Sequence, residues 1–278
     1  MTSDSRLEAV LRRDRLIVLA ALAALAALAW AWLLGMGAAP SPDPAAGDAM
    51  DGMPGMAGHG GMEELGPSVA AWSAADFAAM AAMWSVMMVG MMIPAAAPMI
   101  LIYARVGRKA EGGGTPFAPA GWFAAGYLLA WGGFALAATM LQWLLEQALL
   151  LAPMTASAGP RLGGLLLMVA GLYQWTPLKD SCLAQCQSPF LFIQRHGGFR
   201  GDRSGALRLG LRHGAFCIGC CWALMLLLFV GGVMNLLWIA GIAAFVLTEK
   251  LLPLGRILSR LAGAAMAAAG IGLAAGLI

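Results

Sequence analysis

FAAMAAMWSVMMVGMMIPAAAPMILIYA, residues 77–104, decides the fold. The stretch holds no Asp, Glu, Lys or Arg. It exceeds the roughly 20 apolar residues that carry a helix across a bilayer. Further apolar stretches lie on either side: Leu16–Met36 before it, then Pro119–Leu151, Leu162–Trp175, His213–Met234, Leu236–Leu252 and Leu261–Ile278. The fifth and sixth nearly join, and Gly231, Gly232 and Asn235 supply a break that predicts a tight helical hairpin. The expectation is an all-α, polytopic transmembrane bundle of about seven spans.

Composition agrees. The chain is 61% hydrophobic and 11% charged, with a mean hydropathy of +0.79. A soluble domain carries about 25% charged residues. The bilayer is therefore the expected surrounding. Nothing in the sequence points to nucleic acid as a partner.

Basic residues orient the bundle. With the N-terminus in the cytoplasm, all of the 17 Lys and Arg except Arg161 fall in inside segments, as the positive-inside bias requires. Leu16–Leu34 follows a basic region like that of a signal peptide, and Gly37-Ala38-Ala39 is a candidate cleavage site. The apolar run is longer than the 7–15 residues usual for a signal peptide, which favours a retained helix. The organisation expected is a basic segment and first helix over 1–37, an exported flexible loop over 38–71, and a six-span membrane domain over 72–278.

The chemistry lies in sulfur. The chain has 19 Met and 5 Cys against 3 His. The exported loop is rich in Gly, Pro and Asp and carries Met50, Met53, Met56, His59 and Met62. Thioethers with an imidazole suit a soft ion such as Cu(I), and thioethers remain ligands where free thiols would form disulfides. The loop is either a metal collector or a linker in which methionine is incidental.

On the second span, Met80, Met83, Met87 and Met91 form one helical stripe, and Met88 and Met92 an adjacent one. Pro94 and Pro98 weaken the ladder beside it. The stripe reads as a row of thioether ligands or as flexible packing.

The fifth span opens HGAFCIGCCWALM. It sets His213, Cys217, Cys221 and Met225 at four-residue spacing, with Cys220 three residues after Cys217. One face thus offers an imidazole, thiols and a thioether. A metal site, a redox dithiol and buried structural cysteines all fit, and metal fits best. In TPLKDSCLAQCQSP, Thr176 is the expected N-cap, Pro177 the first helical residue and Pro189 the stop. That short helix places Cys182 and Cys186 on one face, on the same side of the membrane as the Cys217 cluster, so both groups could share an ion.

The remaining polar residues read more plainly. His196 is expected to be solvated, Glu146 to reach the interface, and Glu249 and Lys250 to snorkel or pair. Tyr173, Gln174 and Trp175 resemble an interfacial anchor. No phosphate-cradling glycine motif and no Ser/His/Asp constellation occurs, so an enzyme is not expected.

The segments MWSVMMVGMMIPAAAPM (83–99), YQWTPLKDSCLAQCQSP (173–189), GLRHGAFCIGCCWALMLLLFVGGVMNLLW (210–238) and TEKLLP (248–253) carry a resemblance. They are similar to the bacterial family of predicted metal-binding integral membrane proteins that includes a tyrosinase-associated membrane copper chaperone. The resemblance runs from about Trp72 to the C-terminus. It implies a multi-pass protein of the bacterial inner membrane, copper as the ion, and a copper-requiring enzyme as partner. It also implies Cys182, Cys186, His213, Cys217, Cys220 and Cys221 as candidate ligands. A membrane thiol–disulfide oxidoreductase and a metal-free structural subunit are the rival readings.

Overall fold

The computed structural model describes residues 3–37, 72–110, 117–152 and 156–277. Helix α1 spans Ser3–Gly37, α2 Ala74–Ala110 and α3 Phe117–Gln147. A two-residue antiparallel pair follows, β1 (Leu151–Ala152) with β2 (Ser157–Ala158). Next come α4 (Pro160–Tyr173), α5 (Pro177–Gln187), α6 (Pro189–Arg195), α7 (Arg203–Leu226), α8 (Leu228–Gly231), α9 (Leu236–Leu251) and α10 (Gly255–Ala274).

Five of these segments are long and apolar enough to cross a membrane: Arg13–Met36, Ala74–Arg108, Pro119–Gln147, Arg203–Gly231 and Gly255–Ala274. The expected fourth and sixth spans form helices of 14 and 16 residues, shorter than the roughly 20 residues needed to cross. Local breaks set their lengths. Thr176-Pro177 starts a new helix after α4, and Leu252 and Pro253 end α9. The third stretch also stops early: α3 ends at Gln147, and Leu149 turns the chain at φ 55° into β1. The hairpin break falls where the sequence put it. Gly232 sits at φ 87°, and the Asn235 side chain caps α9 by accepting from the Trp238 amide.

Small residues let the helices touch backbone to backbone. At the α3–α7 seam, a Cβ on Gly210 would lie 1.9 Å from the Phe123 carbonyl oxygen. At the α4–α10 seam, a Cβ on Gly171 would lie 2.6 Å from the Gly263 carbonyl oxygen. Large side chains then fill the interior. Trp84, Trp131, Tyr103, Tyr127 and Phe123 are fully buried. Outward, Leu25, Leu28, Leu129, Leu136, Leu165, Leu172, Leu261 and Ile271 are exposed on four different helices. Exposed apolar residues this widespread suit a hydrocarbon surrounding better than water.

Helix α1 packs on α2 and repairs it. Pro94 has no amide hydrogen, so the Gly90 carbonyl loses its helical donor. The Trp30 indole of α1 donates to that carbonyl at 3.3 Å. Near the other end of α1, Asp14 pairs with Arg108, and both are buried.

Candidate metal centre

Helix α5 forms as its sequence dictates. The Thr176 hydroxyl accepts from the Lys179 amide at 3.3 Å, Pro177 occupies the first turn, and Pro189 begins the next helix. Cys182 and Cys186 follow one turn apart and face α7. Cys182 lies against Gly219, where a Cβ would stand 2.8 Å from the Cys182 sulfur. Cys186 Sγ lies 4.0 Å from Cys220 Sγ. The two cysteine groups therefore meet, across the seam between α5 and α7.

Helix α7 is capped by Asp202, whose carboxylate accepts from the Gly205 amide at 2.7 Å. Its cysteines are buried and all five cysteines of the chain are free thiols. The Cys220 and Cys221 thiols donate to the Cys217 carbonyl at 3.1 and 2.9 Å. Cys217 Sγ differs from them. It accepts from Lys250 Nζ at 2.7 Å and touches the Tyr127 hydroxyl at 3.1 Å. Tyr127 also donates to the Met92 carbonyl at 3.2 Å, which joins the methionine helix to the cysteine helix.

A buried ion pair joins α5 to α9. Lys179 of α5 and Glu249 of α9 meet at 2.6 Å with neither side chain exposed. The Ser259 hydroxyl of α10 donates to the Glu249 carboxylate. Gln187 Nε2 at the end of α5 donates to the Glu249 carbonyl at 2.9 Å. Adjacent residues of α9 thus serve two purposes: Glu249 anchors the short cysteine helix, and Lys250 faces the thiol of Cys217.

Thiol acidity in α5 follows from these contacts. Burial, reinforced by Cys220, raises the Cys182 thiol above its ordinary value. Cys186 is raised further, first by hydrogen bonding with Cys217 and Cys220 and then by burial. Both are protonated at neutral pH without metal. An ion entering here displaces protons.

The other expected residues are placed as follows. Met83, Met87, Met88, Met91 and Met92 are all buried, so the stripe faces the protein interior. His213 is buried among the rings of Phe123, Tyr127 and Phe192, and its Nδ1 has no hydrogen-bond partner. Met53, Met56, His59 and Met62 lie outside the described residues. Among the described residues, no three His, Cys, Asp or Glu side chains converge to hold an ion. What the structure brings together is a two-sulfur pair with a third thiol and an ammonium beside it. Soft sulfur donors favour Cu(I), zinc and iron–sulfur clusters among the biological metals.

His196, Tyr173 and Gln174 differ from the sequence reading. His196 is half-buried rather than solvated, its ring tilted 34° against Phe192 with centroids 4.3 Å apart. Glu146 accepts from the Trp72 indole at 3.0 Å and the Gln142 amide at 2.9 Å. Tyr173 turns inward and donates to the Gly219 carbonyl, and the Gln174 side chain is fully buried. Trp175 alone keeps the anchor geometry, exposed and donating to the Arg260 carbonyl at 2.9 Å. Pairing holds for Glu249 and snorkelling does not hold for Lys250, which is 6% exposed. Sequence reasoning missed Tyr127, Lys179 and Lys250 as neighbours of the site. The only signal was a charged pair, Glu249-Lys250, at the end of an apolar run.

Residues 81–273, more than half of the chain, match the family PpoB2, described as a copper chaperone. The match starts in the methionine stripe of α2, includes all five cysteines and ends in α10. No curated protein and no solved structure matches the chain. The chain belongs to the PpoB2 copper chaperone family.

Proposed function

We propose that this protein is a Cu(I)-binding, multi-pass protein of the bacterial inner membrane that hands copper to a copper-requiring partner enzyme or moves it across the membrane. The N-terminus lies in the cytoplasm, and α4 and α9 complete a seven-span layout as shorter helices. The exported loop, with Met53, Met56, His59 and Met62, collects the ion. The stripe Met83, Met87, Met88, Met91 and Met92 passes it along. Cys182, Cys186, Cys217, Cys220 and Cys221, with His213 nearby, hold it at the inner side. Exchange from weak thioether donors to stronger thiolates gives direction without ATP.

The observation that carries this reading is the Cys186–Cys220 sulfur separation of 4.0 Å. With metal–sulfur bonds of about 2.3 Å, sulfurs roughly 4–5 Å apart can share one ion. The test is copper stoichiometry in purified protein. Replacing Cys217, Cys220 and Cys221 with Ser is expected to abolish tight Cu(I) binding. Unchanged bound Cu(I) in that triple variant would end the cysteine-site reading.

A further inference from the structure

Along the α4–α10 seam, Gly164 packs on Gly270 and Gly171 on Gly263, so the two helices run antiparallel in step. The same register carries Gln174, just past the end of α4, to the first turns of α10. A Cβ on Gly263 would stand 2.8 Å from the Gln174 Cβ, and Ser259 lies one turn before Gly263. Ser259 donates to the Glu249 carboxylate, which pairs with Lys179 at 2.6 Å. Polar side chains from the end of α4, the first turn of α5, α9 and α10 thus gather where these segments meet, none of them more than 1% exposed.

Their hydrogen bonds do not close. Neither polar atom of the Gln174 amide has a partner, Glu249 Oε2 has none, and Lys179 Nζ has only its ion pair. Buried polar groups are normally paired, with protein or with ordered water. A buried ion pair offsets its own desolvation only when its remaining lone pairs and protons are hydrogen-bonded. The open atoms divide evenly: Gln174 Oε1 and Glu249 Oε2 accept, while Gln174 Nε2 and Lys179 Nζ donate.

We propose that this junction is a binding site for buried water, and that the water is part of what seats the cysteine helix on the bundle. Lys179 and Glu249 cancel in charge, so the site takes a neutral guest rather than an ion. The guest must both donate and accept. A cation would face two donors, and an apolar guest would leave every open atom unpaired. Water donates twice and accepts twice, and buried waters typically make about three such bonds. Water that bridges Gln174 to the Lys179–Glu249 pair ties α4 and α10 to α5, the helix that carries Cys182 and Cys186. The site stands independently of what the cysteines bind.

Gln174→Met keeps the length of the side chain and removes both polar atoms, so it separates a wet junction from a dry one. In a dry junction the change removes two unpaired polar groups and raises the unfolding temperature. With bound water it takes partners away from the water. The full chain in lipid nanodiscs is then expected to unfold roughly 2–4 °C lower, the shift of about one buried hydrogen bond in a chain of this size. An unchanged or raised unfolding temperature overturns the proposal. A structure of the wild-type chain in nanodiscs, at a resolution that shows water, decides it even if the variant does not fold. Water density within about 3 Å of the Gln174 amide and of Glu249 Oε2 is expected. Direct protein partners for these atoms, or a dry gap between them, overturn it.

Discussion

Cys186 Sγ of α5 lies 4.0 Å from Cys220 Sγ of α7, although 34 residues separate them in sequence. The contact exists because Thr176, Pro177 and Pro189 confine α5 to a short helix, and Lys179–Glu249 holds that helix against the bundle. A single substitution at either sulfur should therefore be nearly as damaging as both. Cys186→Ser or Cys220→Ser is expected to weaken Cu(I) binding on the order of a hundredfold, because a chelating pair becomes one donor. Competition against a Cu(I) chelator measures it. A change under threefold in both variants would show that the pair is not the ligand set.

Gly219 gives a test that separates the site from the fold. A Cβ there would stand 2.8 Å from the end of the Cys182 side chain, which can swing away. Gly219→Ala should fold and shift Cu(I) affinity. Gly210→Ala has no such escape, since its Cβ would meet the Phe123 backbone oxygen at 1.9 Å. It should lower the unfolding temperature of the solubilised protein, with a cost of about 1–3 kcal/mol or more. Equal stability of the two variants would contradict the α3–α7 seam as described.

Much of this arrangement can be read in the sequence. Long apolar runs give the helices, Thr176 marks a cap and Asn235 a break, and four-residue spacing puts Cys182 with Cys186 and Cys217 with Cys221. Span lengths are less legible, because hydropathy averages over the breaks at Thr176 and Leu252 that shorten α4 and α9. Least legible are the partners. Nothing local tells Glu249 to meet Lys179, or Lys250 to meet Cys217. Each depends on which helices pack together, and hydropathy treats both residues only as charges near a membrane edge.

Helix α1 should be needed by α2. Asp14→Asn leaves Arg108 buried without a counter-charge, and removing one partner of a buried pair costs about 3–5 kcal/mol. Trp30→Phe removes the donor to the Gly90 carbonyl that Pro94 leaves without its helical partner, at roughly 1 kcal/mol. Thermal unfolding of both variants checks the order. Asp14→Asn as stable as wild type would show that α1 is not locked to α2 there.

Copper binding should strengthen with pH. Burial and Cys220 push the Cys182 thiol, and hydrogen bonding with Cys217 and Cys220 followed by burial pushes the Cys186 thiol, above the ordinary pKa. A raised thiol stays protonated until the pH passes its shifted value, so the proton competes with the metal throughout the neutral range. For each such thiol that becomes a ligand, apparent affinity rises up to about tenfold per pH unit and levels off above the raised value. Chelator competition from pH 6 to 9 reads the slope. A flat profile would mean that neither α5 thiol gives up a proton on binding.

X-ray absorption at the copper edge, on full-length protein loaded with one equivalent of Cu(I), tests the central claim most directly. The account predicts a two-coordinate shell made only of sulfur, lost in Cys186→Ser/Cys220→Ser. A shell dominated by nitrogen or oxygen, or a sulfur shell unchanged in that double variant, would contradict it.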